Sequence, residues 1–237
     1  MAGREPEEVV ARPVVRQRWQ SLAFLHWPYD PADVQPLLPS GLEPDTWDGA
    51  AWVGLTPFLM ADFRLLGLPP AGRLSTFPET NVRTYVRDAR GRDGLWFLSL
   101  DADSLPTVLA ASAAYGVPYR WAGMSIDEGP PVRYRSHRRV GRAAGHDIVV
   151  RPDRPHGDGE ASAFDHWLTG RWRAYTTPAG RLAVVPVAHE PWPLWRAELV
   201  SLEETTVAAA GLPAPVGAPL VHWSPGVDVR LGRPHAA

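Results

Sequence analysis

Residues 77–86 alternate with period two, and that alternation limits what the rest of the chain can build. Thr80, Val82, Thr84 and Val86 fall on one face of a strand, all β-branched and suited to a pleated surface. Glu79, Asn81, Arg83 and Tyr85 fall on the other face, a carboxylate, an amide, a guanidinium and a phenol in one row. Alternate residues on a strand stand about 6.5–7 Å apart, so neighbours in the row can touch the same small molecule. Two arrangements fit the pattern. Either this is a surface strand whose polar face is wet, or the row looks inward and offers a polar site.

The flanking sequence favours a β-rich fold. Twenty-six prolines and 21 glycines are spread along the 237 residues rather than gathered in a linker, which suits short strands and tight turns. Strands are expected over 19–27, 50–60, 77–87, 95–100, 118–124, 132–138, 147–151, 173–176, 182–189 and 221–231, with a mixed segment over 192–210. Asp30 followed by Pro31 predicts a short capped helix. Ser104 to Tyr115 predicts a helix with Leu105, Val108, Leu109 and Ser112 on one face and Gly116 as its stop. Ser162 and Asp165 fit a capping box. Residues 1–15 read as a disordered lead-in, 16–237 as a single domain, and the Pro/Gly run at 67–72 as a lid.

Several function classes fall away. A formal net charge of −2 with no basic stripe argues against nucleic acid. No run reaches membrane-spanning length and no apolar signal core leads the chain, so the expectation is a cytoplasmic protein. There is no cysteine, hence no disulfide and no thiolate. All 24 basic residues are arginine. Without a lysine amine, a side-chain Schiff base and a lysine-bound pyridoxal cofactor are excluded. No phosphate loop, nucleophile elbow or dinucleotide fingerprint is present, and no cofactor is called for. The eight histidines lack close ligand spacing, so no metal site is assigned.

Phe24-Leu25-His26-Trp27, Leu38-Pro39-Ser40-Gly41-Leu42 and Asp48-Gly49-Ala50-Ala51-Trp52-Val53-Gly54 resemble an uncharacterised bacterial family, the YqjF-like proteins. So do Glu79 to Val86, Pro118-Tyr119, Arg171 to Tyr175 and His189-Glu190-Pro191-Trp192, so that the likeness covers about residues 16–231. The resemblance implies a fold like that of acetoacetate decarboxylase: a β-rich α+β chain with curved antiparallel sheets forming a cone or barrel and a few short peripheral helices. It implies no established reaction. In the decarboxylases a proline after a short helix precedes two lysines, the first of which forms an imine with the substrate. Here Tyr119 and Arg120 stand in that place, so a pocket can be inherited while the imine mechanism cannot.

The candidate chemistry centres on Arg83, which can grip a planar carboxylate through two parallel hydrogen bonds. The competing arrangement is an internal ion pair with Glu79. Asn81, Tyr85, Arg120 and His189 are the other candidate ligand contacts. Glu79 or His26 is the candidate proton carrier, and Tyr119 the candidate oxyanion donor, its pKa lowered by Arg120 or Arg83. The expected ligand is a small organic acid or carbonyl compound, handled by an acid–base enzyme or held by a non-catalytic binding protein. The strand edges are also compatible with a homo-oligomer.

Overall fold

The computed structural model describes residues 10–65, 69, 72–157 and 159–237. Residues 1–9 of the expected lead-in, and most of the expected lid, lie outside the described residues. In chain order the elements are β1 (Val15–Tyr29), α1 (Pro31–Val34), β2 (Leu42–Pro44), β3 (Thr46–Trp47), β4 (Ala50–Leu65), β5 (Phe77–Asp88) and β6 (Asp93–Ala102). There follow α2 (Leu105–Tyr115), β7 (Tyr119–Asp127), β8 (Val132–Arg138), β9 (Gly145–Pro155), α3 (Ala163–Thr169) and β10 (Arg173–Thr176). The last are β11 (Ala183–His189), β12 (Trp195–Glu204), α4 (Thr206–Ala209), β13 (Leu220–Leu231) and β14 (His235–Ala236).

These strands form one curved, largely antiparallel sheet that closes on itself in two circuits. Both share the run β13-β1-β4-β5-β6. The far edge of β6 pairs with β10 near its start, through Leu95 and Trp96, and with β7 near its end, through Leu100 to Ala102. The far edge of β13 divides in the same way, between β12 at Trp223 and β11 at Val229 to Leu231. One circuit therefore closes through β7-β8-β9-β12 and the other through β10-β11.

Alternation along the shared strands assigns each face to one circuit. Leu25 and Trp27 of β1, Val53 and Leu55 of β4 and Val82 of β5 pack against Tyr134, Ile148 and Val150 of β8 and β9. Burying each such aliphatic side chain stabilises the fold by about 1.5–3 kcal/mol. The opposite face carries Phe24, His26, Gly54, Phe58 and the row from Glu79 to Tyr85. It is covered by α2, α3, β10, β11 and the segment around Trp192. With a circuit on either side, every residue from Glu79 to Val86 is buried. The surface-strand arrangement is thereby excluded.

The helices are short and peripheral. Asp30 caps α1 through Ala32 N–H, and Ser162 with Asp165 forms both halves of a capping box on α3. α2 departs from expectation in two ways. Only Val108 of its expected face is buried, while Leu105 and Leu109 are exposed. Ser104 bonds the Thr107 hydroxyl instead of a backbone N–H, and Gly116 ends the helix in the left-handed region at φ 64°. Among the described residues no helix is long and apolar enough to cross a membrane.

Candidate functional site

The inward face of β5 is set by cross-strand register. Arg83 stands opposite Gly54 of β4, and Gly54 stands opposite His26 of β1. Gly54 has no side chain to fill the middle of this row. A β-carbon there would lie 3.0 Å from Cδ2 and Nε2 of His26, so the imidazole lies across the glycine toward β5. In a strand interior such a glycine marks close approach by a neighbour.

His26 is fully buried, and its Nε2 lies 2.7 Å from the Tyr85 hydroxyl oxygen. The Tyr85 hydroxyl donates to the Leu168 carbonyl, 2.5 Å away, at the C-terminal end of α3. A carbonyl cannot donate and a phenol has one proton, so His26 Nε2–H must be the donor to Tyr85. Nδ1 then carries the lone pair, and it is buried with no hydrogen-bond partner. Burial, with Arg83 and His222 adding to it, pushes the His26 pKa well down, so the ring is neutral.

Arg83 is 5 % exposed. Its Nε and Nη2 are buried without a hydrogen-bond partner, and no carboxylate among the described residues pairs with it. Its guanidinium carbon lies 5.3 Å from the centre of the Phe24 ring. The alternative ion pair with Glu79 does not form. Four residues of strand separate the two, about 13 Å of rise, and Glu79 turns to a different partner.

That partner is Tyr119, whose hydroxyl donates to Glu79 Oε2 at 3.0 Å. Burial raises the Glu79 pKa to about 8, against the hydrogen bonds from Tyr119 and Asn81 that favour the carboxylate. The expectation that an arginine lowers the Tyr119 pKa is corrected: burial and the Glu79 carboxylate push it well up. Asn81, between Glu79 and Arg83 in the row, keeps a buried Oδ1 without a donor.

His189, at the end of β11, approaches the same region. Its Nδ1–H donates to the Glu190 carbonyl at 2.6 Å, which leaves Nε2 with the lone pair. Burial pushes its pKa down to about 4, and Arg83 adds to that shift. Around it stand Trp172 at 4.6 Å, Trp192 at 4.8 Å and Trp19 at 6.1 Å between ring centres. Trp19 also meets Phe58, and Phe24 meets Trp192.

The structure places His26 and His189 close enough to Arg83 to feel its charge, and sets Glu79, with Tyr119 and Asn81 as its partners, farther along the same inward face of β5. Tyr85 belongs to the cluster as the partner that orients His26. Arg120 does not join it: successive strand residues point to opposite faces, and Arg120 is exposed while Tyr119 is packed with Phe58 and Phe77.

Sequence reasoning missed the supports. Arg171 is buried between Tyr85 and Trp167, 4.9 and 4.5 Å from their ring centres. It pairs with Asp45 at 3.0 Å and Asp93 at 2.6 Å. This network fixes the back of Tyr85. Among the described residues no cluster of His, Asp and Glu is placed to hold a metal ion.

The family described as "Uncharacterized conserved protein", DUF2071, matches residues 16–228. The chain belongs to that family. Uncharacterized protein YqjF of Bacillus subtilis (strain 168) is 36 % identical over 217 residues, 91 % of this chain and 89 % of YqjF. The DUF2071 chain also shares its fold with solved structures of low sequence identity. An acetoacetate decarboxylase-like enzyme from Sphingomonas wittichii RW1 superposes with a TM-score of 0.65 at 15 % identity, over 98 % of this chain and 95 % of that one. Acetoacetate decarboxylase from Legionella pneumophila gives 0.63 at 14 %, covering 93 % and 87 %. The enduracididine biosynthesis enzyme MppR complexed with pyruvate gives 0.59 at 17 %, covering 97 % and 92 %. The fold of the DUF2071 chain is thus acetoacetate decarboxylase-like, while its lack of lysine removes the side-chain amine that an imine requires.

Proposed function

We propose that this chain binds a small organic acid or carbonyl compound on the inward face of β5 and moves a proton on it by acid–base chemistry, without an imine. The observation that carries the proposal is Arg83. A buried guanidinium with two unpartnered nitrogens, Nε and Nη2, and no carboxylate is costly in isolation, and a ligand carboxylate relieves that cost through paired, charge-assisted hydrogen bonds.

Glu79 supplies the proton. With its pKa near 8 the carboxyl is mostly protonated at neutral pH, which suits a general acid. Giving up that proton leaves a carboxylate already faced by the Tyr119 hydroxyl and the Asn81 amide. Tyr119 thus serves the carboxylate rather than a ligand oxyanion. Two fold neighbours support a small acid, one an acetoacetate decarboxylase and one an enzyme complexed with pyruvate.

The second reading, a non-catalytic binding protein, draws on that same engagement of Tyr119, because a satisfied Glu79–Tyr119 pair is also what a static pocket wall needs. A thermal-shift screen against small carboxylates tests the site, since a ligand that binds only the folded state raises Tm by mass action. Stabilisation by an acid, lost in Arg83→Ala, supports it. A flat screen with both proteins folded overturns it. Glu79→Gln then separates the readings: an enzyme loses turnover while keeping affinity, and a binder changes only in affinity.

A further inference from the structure

We infer that the ligand is a hydroxy acid, recognised in preference to the matching oxo acid, because unpartnered donors on Arg83 share the inward face of β5 with two unpartnered acceptors, His26 Nδ1 and Asn81 Oδ1. The inference rests on the acid-binding site proposed above and adds which groups stand beside the carboxylate.

The register sets these residues side by side on one face of the sheet. His26, Gly54 and Arg83 form one cross-strand row over β1, β4 and β5, and Asn81 is the next inward residue along β5. His26 and Arg83 both lie against the Phe24 ring, at 6.0 and 5.3 Å. Trp19 Nε1, on the same aromatic wall, is a further buried donor without a partner.

The hydrogen-bond direction at each acceptor is fixed by what its other end already does. His26 spends its one N–H on Tyr85, whose own proton goes to Leu168. His26 Nδ1 can only accept. Asn81 Oδ1 is a carbonyl and can only accept. A carboxylate satisfies Arg83 but neither acceptor. A ketone oxygen beside that carboxylate sets a lone pair against lone pairs. A hydroxyl in the same place donates to an acceptor and still accepts from a donor such as Trp19. A site built around buried polar groups rejects the analogue that leaves them unpaired.

The test uses pairs that differ only in hydroxyl against oxo: lactate and pyruvate, 2-hydroxyglutarate and 2-oxoglutarate, mandelate and benzoylformate, with both enantiomers of each hydroxy acid. Calorimetric titration of the full chain is expected to give, in at least one pair, a hydroxy acid bound tenfold or more tightly than its oxo partner. That ratio is expected to collapse toward unity in Asn81→Leu, while Arg83→Ala loses both ligands. Oxo acids bound as tightly or more tightly in every pair, still through Arg83, overturn the hydroxyl preference and leave the acid site standing. The same holds if the ratio survives unchanged in a folded Asn81→Leu. If no acid of either kind binds the unaltered protein, the acid-binding site itself fails, and the inference with it.

Discussion

Tyr85 gives its single proton to the Leu168 carbonyl, and its oxygen therefore receives the N–H of His26. A strand on one side of the site and the end of α3 on the other meet in that phenol. The pairing fixes both the tautomer and the orientation of the imidazole.

Tyr85→Phe removes the acceptor for His26 Nε2–H and the donor to Leu168. Both groups stay buried, so the expected loss is about 1–3 kcal/mol for each group left unpaired, read by urea denaturation. The decisive measurement is nitrogen NMR of the histidines. The unaltered protein is expected to show His26 as the Nε2–H form alone, and Tyr85→Phe a mixture of tautomers. A His26 resonance unchanged by the substitution would show that Tyr85 does not set the tautomer.

Gly54 lies against the same imidazole at its Cδ2–Nε2 bond, beside the nitrogen that Tyr85 holds. A β-carbon at this position meets Cδ2 and Nε2 of His26 at 3.0 Å, inside ordinary contact distance. Gly54→Val adds two methyl groups beyond that point and is expected to displace the ring from Tyr85. Overpacking of this kind costs about 1–3 kcal/mol. Acid binding through Arg83 is expected to weaken at least tenfold, because Arg83 Cγ also lies 3.6 Å from the added carbon. Unchanged stability together with unchanged binding would mean that the row has slack the register does not suggest.

The polar row of β5 was legible in the sequence because period two is a local property: Val82 packs toward β8 and β9 and Tyr85 toward α3, although Val86, at the end of the run, packs with Tyr175 and Val184 of β10 and β11. The strands expected at 132–138 and 173–176 also form, the first with alternating burial and the second buried throughout. What the row faces was not legible. Two circuits sharing five strands depend on which strands pair across β6 and β13, and pairing between residues such as Ala174 and Leu95 leaves no local mark. Arg120 failed because the likeness to a double-lysine motif says nothing of strand faces, whereas a period-two reading of 118–124 would have turned Arg120 away from Tyr119. Gly54 was the one clue to His26 that went unused.

Arg171 carries a prediction of a different kind, since it touches Tyr85 and not the proposed ligand. Its side chain is almost wholly buried, stacked between two rings and paired with two aspartates. Arg171→Met keeps the volume and removes the charge. Asp45 retains Arg87 and Asp93 retains Arg173, yet each loses a buried cation, and breaking such a pair costs about 3–5 kcal/mol. Urea denaturation is expected to show a loss of that order. A loss under about 1 kcal/mol would place the network among the pairs that merely tolerate burial.

The pH dependence of stability follows from groups that are buried neutral. His26, His146 and His189 all have pKa values below the ordinary 6.5, the last two at about 4, chiefly through burial. Between pH 5 and 6.5 the unfolded chain takes up protons at these sites and the folded chain does not, so stability falls as pH drops. Glu79 works in the opposite sense. Its folded pKa of about 8 lies above the ordinary 4.5, so its contribution is complete below 4.5 and is lost as pH rises through 8. Each proton is worth about 1.4 kcal/mol per pH unit. Three histidines less one glutamate leave a net acid-side slope approaching about 3 kcal/mol per unit, and around pH 7.5, where the unfolded histidines have mostly lost their protons, Glu79 leaves a net alkaline slope of about 0.7. Denaturant unfolding across this range is expected to show a maximum near pH 7. In Glu79→Gln the alkaline limb should disappear and the acid limb steepen. An alkaline limb that survives the substitution would show that Glu79 is ionised in the folded protein, and its role as a neutral proton donor would fall with it.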